Sequence, residues 1–119
     1  MSFKTLMAYK KGFSLAMDIF HLAKDFPKSE IFGLSSQIIR SSRSVCSNIS
    51  EGYRKRQYEK HFKSKISDAD SENSETQLWL DFALACKYIS NEKKLDLQHK
   101  SEEVGKLLNY MMNNPDKFR

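Results

Sequence analysis

The chain has 119 residues, 39% of them apolar, and carries 20 lysines and arginines against 15 aspartates and glutamates, a formal net charge of +5. That length sets one domain, and no 18-residue apolar run is present to span a membrane. Four glycines and two prolines are too few breakers for a strand-rich fold, so long uninterrupted helices are expected.

Met1 to Thr5 show no cap and no periodicity and are expected to fray. A first helix is predicted over about 7–25, with Phe13, Met17 and Phe20 as its main apolar stripe and Ala16, Ile19 and Phe26 beside it. Pro27 ends this helix and suits the first turn of a second, over 27–52, where Glu30 meets the positive helix end. In the second helix Ile31, Leu34, Ile38, Val45 and Ile49 share one face. The opposite face holds Arg40, Ser44, Ser47 and Glu51, short enough for another element to pack closely. Gly33 is expected inside this helix, and Gly52 just past its end in a left-handed conformation.

The third helix is predicted over 57–89, roughly 48 Å at 1.5 Å per residue. Its main stripe is Tyr58, Phe62, Ile66, Ala69, Asn73, Thr76, Leu80, Ala83 and Leu84. Near its end a second stripe forms from Leu78, Phe82, Ala85 and Ile89, with Trp79 and Cys86 beside it. A helix apolar on two sides must bury both, so Leu78, Trp79, Phe82 and Ile89 are the expected subunit interface of a homo-oligomer. After the Ser90-Asn91-Glu92 cap signal, a fourth helix over 92–113 holds Leu95, Leu97, Val104, Leu107, Leu108, Met111 and Met112. The expected fold is an all-α, up-down-up-down antiparallel four-helix bundle.

Phosphate-loop, dinucleotide and zinc-protease motifs are missing. His21, His61 and His99 fall on three different helices, and Cys46 and Cys86 read as buried thiols, so neither a metal nor another cofactor is expected. Glu72 and Glu75 share a face with Asp68, a pattern more typical of an ion-paired stripe than of a catalytic pair. No catalytic residue emerges, and the chain is expected not to be an enzyme. It also lacks a secretion signal, so a cytoplasmic location is expected.

Charge is distributed unevenly. Residues 54–65 carry six basic side chains and one acidic, whereas residues 66–92 carry one basic and six acidic. Arg54, Lys55, Arg56, Lys60 and Lys63 gather at a helix start, where backbone N–H groups also favour anions. Tyr53 and Tyr58 lie among them, a combination suited to phosphate contact and base stacking. Nucleic acid is the expected partner. The alternative is a protein-binding scaffold whose charged rim docks a protein such as a polymerase.

The combination of Phe26-Pro27 with Glu30 and Gly33-Leu34, Gln37 with Arg40, and Ser44 with Asn48-Ile49-Ser50-Glu51-Gly52 and Arg54 resembles a known family. Glu75-Thr76 and Trp79-Leu80 extend the likeness into the third helix. The family comprises four-helix-bundle proteins encoded in intervening sequences of bacterial 23S ribosomal RNA genes. The accessory variability protein of diversity-generating retroelements is related to it. The resemblance spans about residues 10–113 and marks Pro27, Glu30, Arg40, Asn48, Glu51, Gly52 and Glu75 as family positions. The chain departs from the pattern at Asp70-Ser71-Glu72-Asn73-Ser74, where the family often carries Gly-Ser, and at Ile39, where it often carries a second basic residue. The resemblance implies a ring, most simply a homopentamer, with nucleic-acid binding in some members and no enzymatic activity.

Overall fold

The computed structural model describes Phe3 and residues 6–119; Met1, Ser2, Lys4 and Thr5, where fraying was expected, lie outside the described residues. Four α-helices make an all-α, up-down-up-down bundle of 44 × 25 × 20 Å: α1 (Met7–Ala23), α2 (Leu34–Arg54), α3 (Glu59–Ala85) and α4 (Asn91–Asn113). Each helix packs closely on two others, in the cycle α1–α2–α3–α4, and α1 and α3 sit on the diagonal. No helix is long and apolar enough to cross a membrane, among the described residues.

Two core layers fill the bundle. One joins Val45, Ile49, Tyr53, Phe62, Ile66, Val104, Leu108 and Met111. The other joins Leu15, Ile19, Leu34, Ile38, Leu80, Ala83, Ile89 and Leu97. Between them lie polar contacts with their partners in place. The Ser41 and Thr76 hydroxyls meet at 2.8 Å, and Asn73 Nδ2 donates to the Ser101 carbonyl while Ser101 Oγ donates to Asn73 Oδ1. Asn73 thus ties α3 to α4 in the stretch that departs from Gly-Ser. Buried polar groups cost little only when paired, so these contacts fix the register of the helices.

Several expectations need correction. The inward face of α1 is Ala8, Gly12, Leu15, Ala16, Ile19 and Ala23, while Phe13 and Met17 of the predicted stripe are exposed. Small residues on α1 allow a close approach to α2, and the large ones are turned outward. The second helix begins at Leu34, not Pro27. A 3₁₀ turn, Lys28–Glu30, follows Pro27, and Gly33 is the N-cap. A Cβ at Gly33 would stand 2.7 Å from Glu30 Oε1, which donors at the helix start draw in. Gly52 lies within α2 and is not left-handed. Its function is clearance: a Cβ there would meet Ile66 Cδ1 at 3.0 Å and Lys65 Cβ at 3.2 Å across the α2–α3 crossing. The serines buried on α2 are Ser35, Ser41 and Ser42, whereas Ser47 of the predicted close face is exposed.

The third helix is shorter than expected, 27 residues, and its main stripe is buried apart from Tyr58 at 60% exposure and a half-buried Leu84. It ends at Ala85 with the Tyr88 N–H donating to the Ala83 carbonyl and the Lys87 N–H to that of Leu84. This closure needs a left-handed residue, and Lys87 takes it at φ 64°. A side chain there is strained, so Lys87→Gly is expected to raise stability by about 1 kcal/mol, read as a higher urea midpoint at unchanged slope. The fourth helix starts as expected, with Ser90 Oγ accepting from the Lys93 N–H at 3.0 Å.

Candidate functional site

Antiparallel packing brings the start of α1, the α2–α3 turn and the end of α4 to one end of the bundle. Arg54 is the last residue of α2, where a cation complements the negative helix end. Lys60 and Lys63 lie in the first turns of α3, against a positive helix end. Arg54, Lys55, Lys60 and Lys63 are all exposed, so one end surface is strongly cationic.

The predicted basic residues differ in what they touch. Arg54, Lys55 and Lys60 close no ion pair among the described residues. Lys63 reaches Glu59 at 3.6 Å. Arg56 folds back: its guanidinium donates to the Tyr53 carbonyl at 2.9 Å and covers the Tyr53 ring at 4.2 Å. It closes the last turn of α2. Tyr53 is buried in the core, so of the two tyrosines expected among the basic residues Tyr58 alone is exposed, and it lies edge-on to His61 at 6.2 Å. The sequence reading missed the C-terminal tail. A 3₁₀ turn, Pro115–Lys117, returns it to α3, and Arg119 reaches Glu59 at 3.6 Å. Lys117 lies beside Tyr110. Both cations join the same end, and the pairing of Phe118 with Phe62 at 6.0 Å holds the tail there.

The family-motif residues do structural work elsewhere. Arg40 bridges α2 to α3, donating to Glu72 at 2.7 Å and Glu75 at 2.5 Å. These contacts raise the Arg40 pKa, Glu75 first, and the guanidinium holds the Glu75 carboxyl below the usual range. Lys65 and Glu51 make a second α2–α3 link at 3.0 Å. The Asn48 amide donates to the Ser44 carbonyl within α2. Glu30 joins three segments: its Oε1 accepts the Leu34 N–H at 3.1 Å and its Oε2 the Tyr88 hydroxyl at 2.8 Å. Pro27 opens the turn that delivers it.

The Leu34 N–H first, then the Tyr88 hydroxyl, hold the Glu30 carboxyl below its ordinary value of 4.5. The stabilisation from a depressed carboxylate is present above the unfolded pKa and is lost as pH falls through the folded one. Wild type is therefore expected to melt above Glu30→Gln at neutral pH. The gap should close as pH drops below the ordinary glutamate range, in thermal melts followed by circular dichroism.

The predicted interface stripe is only partly on the surface. Leu78 and Phe82 are 46% and 50% exposed, and Trp79 is half-buried with its ring 5.8 Å from Phe82. Ile89 is buried in the core, because α3 has ended and the chain has turned inward. Cys86 is exposed, contrary to expectation, while burial pushes the Cys46 thiol up to about 11; both cysteines are free. The described residues hold no group of three metal-ligating side chains. His99 and Glu103, one turn apart on α4, make only an exposed pair at 3.4 Å.

A family model for the 23S rRNA-intervening sequence protein matches residues 4–110. A solved structure of a protein with unknown function from the S23 ribosomal protein family of Bacteroides thetaiotaomicron is 30% identical in sequence. The alignment covers 89% of this chain and 95% of that one, with a TM-score of 0.82. No curated protein matches the chain.

Proposed function

This chain belongs to the 23S rRNA-intervening sequence protein family, and from that premise we propose that it is a non-enzymatic, oligomeric protein that binds nucleic acid through its cationic end. The observation that carries this reading is the set Arg54, Lys55 and Lys60, three exposed cations on one end with no carboxylate partner among the described residues. Lys63, Lys117 and Arg119 widen the surface. Arg56, spent on closing α2, is assigned to structure instead. Backbone phosphates are the expected target, since such contacts position a ligand without reading its sequence. A homopentameric ring would repeat the surface and sum weak contacts by multivalency.

The test is a titration of labelled structured RNA and of an RNA–DNA hybrid at about 50 mM salt, where phosphate contacts are strongest. Binding with little sequence preference is expected. No binding of either probe would overturn the reading and favour a scaffold that docks a protein partner.

A further inference from the structure

The cationic end also holds a cavity. Between the start of α1, the end of α4 and the docked tail lies an apolar hollow of about 200 Å³, lined by Met7, Ala8, Leu107, Tyr110, Met111 and Phe118. Its walls are held from behind. Ala8 and Met111 are buried in the core layer, and Phe118 is pinned by stacking on Phe62 at 6.0 Å. Tyr110 stands at the edge, 45% exposed, its ring edge-on to Phe118 at 6.1 Å. The mouth is cationic. Lys117 donates to the Tyr110 hydroxyl at 2.9 Å, lies 5.4 Å from the ring centroid, and closes no ion pair among the described residues. Asp116, beside it in the tail, is held by Arg119 at 3.2 Å. An ammonium has three N–H donors, and a phenol that accepts one bond still has its own proton to give. The mouth therefore offers spare donors to an anion.

We propose that this cavity takes one unpaired nucleobase of the nucleic acid held on the cationic end, while Lys117 and the Tyr110 hydroxyl donate to the adjoining phosphate. The proposal deepens the nucleic-acid reading above and rests on it. Three features set the occupant. Aromatic and methionine walls suit a planar ring, the spare donors suit an anion beside it, and the volume holds one ring system but no helix or strand. A nucleotide joins such a ring to such an anion. The lining is almost entirely carbon, so it presents nothing to read a base edge and does not select base identity. It selects unpaired bases instead. A base inside a duplex is stacked and paired, and extruding it costs free energy that a bulged or single-stranded base does not incur. Loops and bulges are the parts of an RNA whose splayed bases stack on aromatic side chains. The tail side of the cavity, with Met111, Lys117 and Phe118, lies outside the residues 4–110 matched by the family model.

The experiment compares a perfect RNA duplex with the same duplex carrying one bulged nucleotide, each labelled, at about 50 mM salt. Wild type is expected to bind the bulged duplex at least about fivefold more tightly, the lower end of what base–aromatic stacking contributes. A 2-aminopurine placed at the bulge should lose fluorescence on binding. Met7→Trp fills the cavity from a position that is 53% exposed, and Tyr110→Leu removes a ring and its hydroxyl. Neither changes the charge, and circular dichroism checks the fold. Both variants are expected to lose the preference for the bulge. Equal binding of the two duplexes by wild type would overturn the proposal and leave the cationic end standing, and so would a preference that both variants keep. A rise in melting temperature with octanoate, without any preference for the bulge, would assign the cavity to acyl chains instead. Failure to bind either duplex would overturn the nucleic-acid reading itself, and this inference with it.

Discussion

Alanine in place of Arg54, Lys55 and Lys60 together is expected to weaken nucleic-acid binding at least tenfold at about 50 mM salt, with the fold intact. Each lost phosphate contact removes about 0.9 from the slope of log K against log salt for duplex DNA and about 0.7 for a single strand. The triple variant should therefore lose roughly 2–3 units of slope per engaged subunit. The three side chains are exposed and close no ion pair among the described residues, so their removal leaves both core layers untouched. Arg56→Ala makes the contrast, because it opens the last turn of α2 and exposes the Tyr53 carbonyl. It should lower the melting temperature while changing the salt slope little. A triple variant that binds with the wild-type slope would remove the cationic end as the binding surface.

Phe62→Ala is expected to cost about 3–5 kcal/mol, a large share of the 5–15 kcal/mol that holds a typical domain together. Phe62 is fully buried among residues of α2, α3 and α4, and its ring stacks on Phe118. Its removal leaves a cavity where three helices and the tail meet. For a chain of this length the melting temperature should fall by about 12–20 °C. Tyr58→Ala, one turn earlier on the same predicted stripe, should stay within about 0.5 kcal/mol, because Tyr58 is exposed. Calorimetry on the two variants separates the positions. Equal losses would contradict the placement of the first turn of α3.

Local sequence information was enough to predict the four helices. Spacing of apolar residues and the Ser90 cap act within a few residues and mark four helical segments; Pro27 marks the break between α1 and α2 without starting α2. The basic block was legible for the same reason, since Arg54 to Lys63 are neighbours in sequence. Burial on α3 followed the main stripe because Phe62, Ile66, Ala69, Asn73, Thr76 and Leu80 offer one consistent inner face.

The α1 face was decided only by tertiary structure. Two apolar stripes compete there, and periodicity ranks the larger residues first. The close approach of α2 instead selects the smaller face of Ala8, Gly12 and Ala16, leaving Phe13 and Met17 outside. The start of α2 was decided in the same way, by a carboxylate. Glu30 gains the Leu34 N–H and the Tyr88 hydroxyl, the latter from 58 residues away, and that pair of bonds outweighs continuing the helix through Gly33. Arg56 and the tail follow the same rule, one turned to a nearby carbonyl and the other drawn onto Phe62. Helix formation depends on neighbours along the chain. Which face is buried, and which cation stays unpaired, depends on partners that only the folded packing supplies.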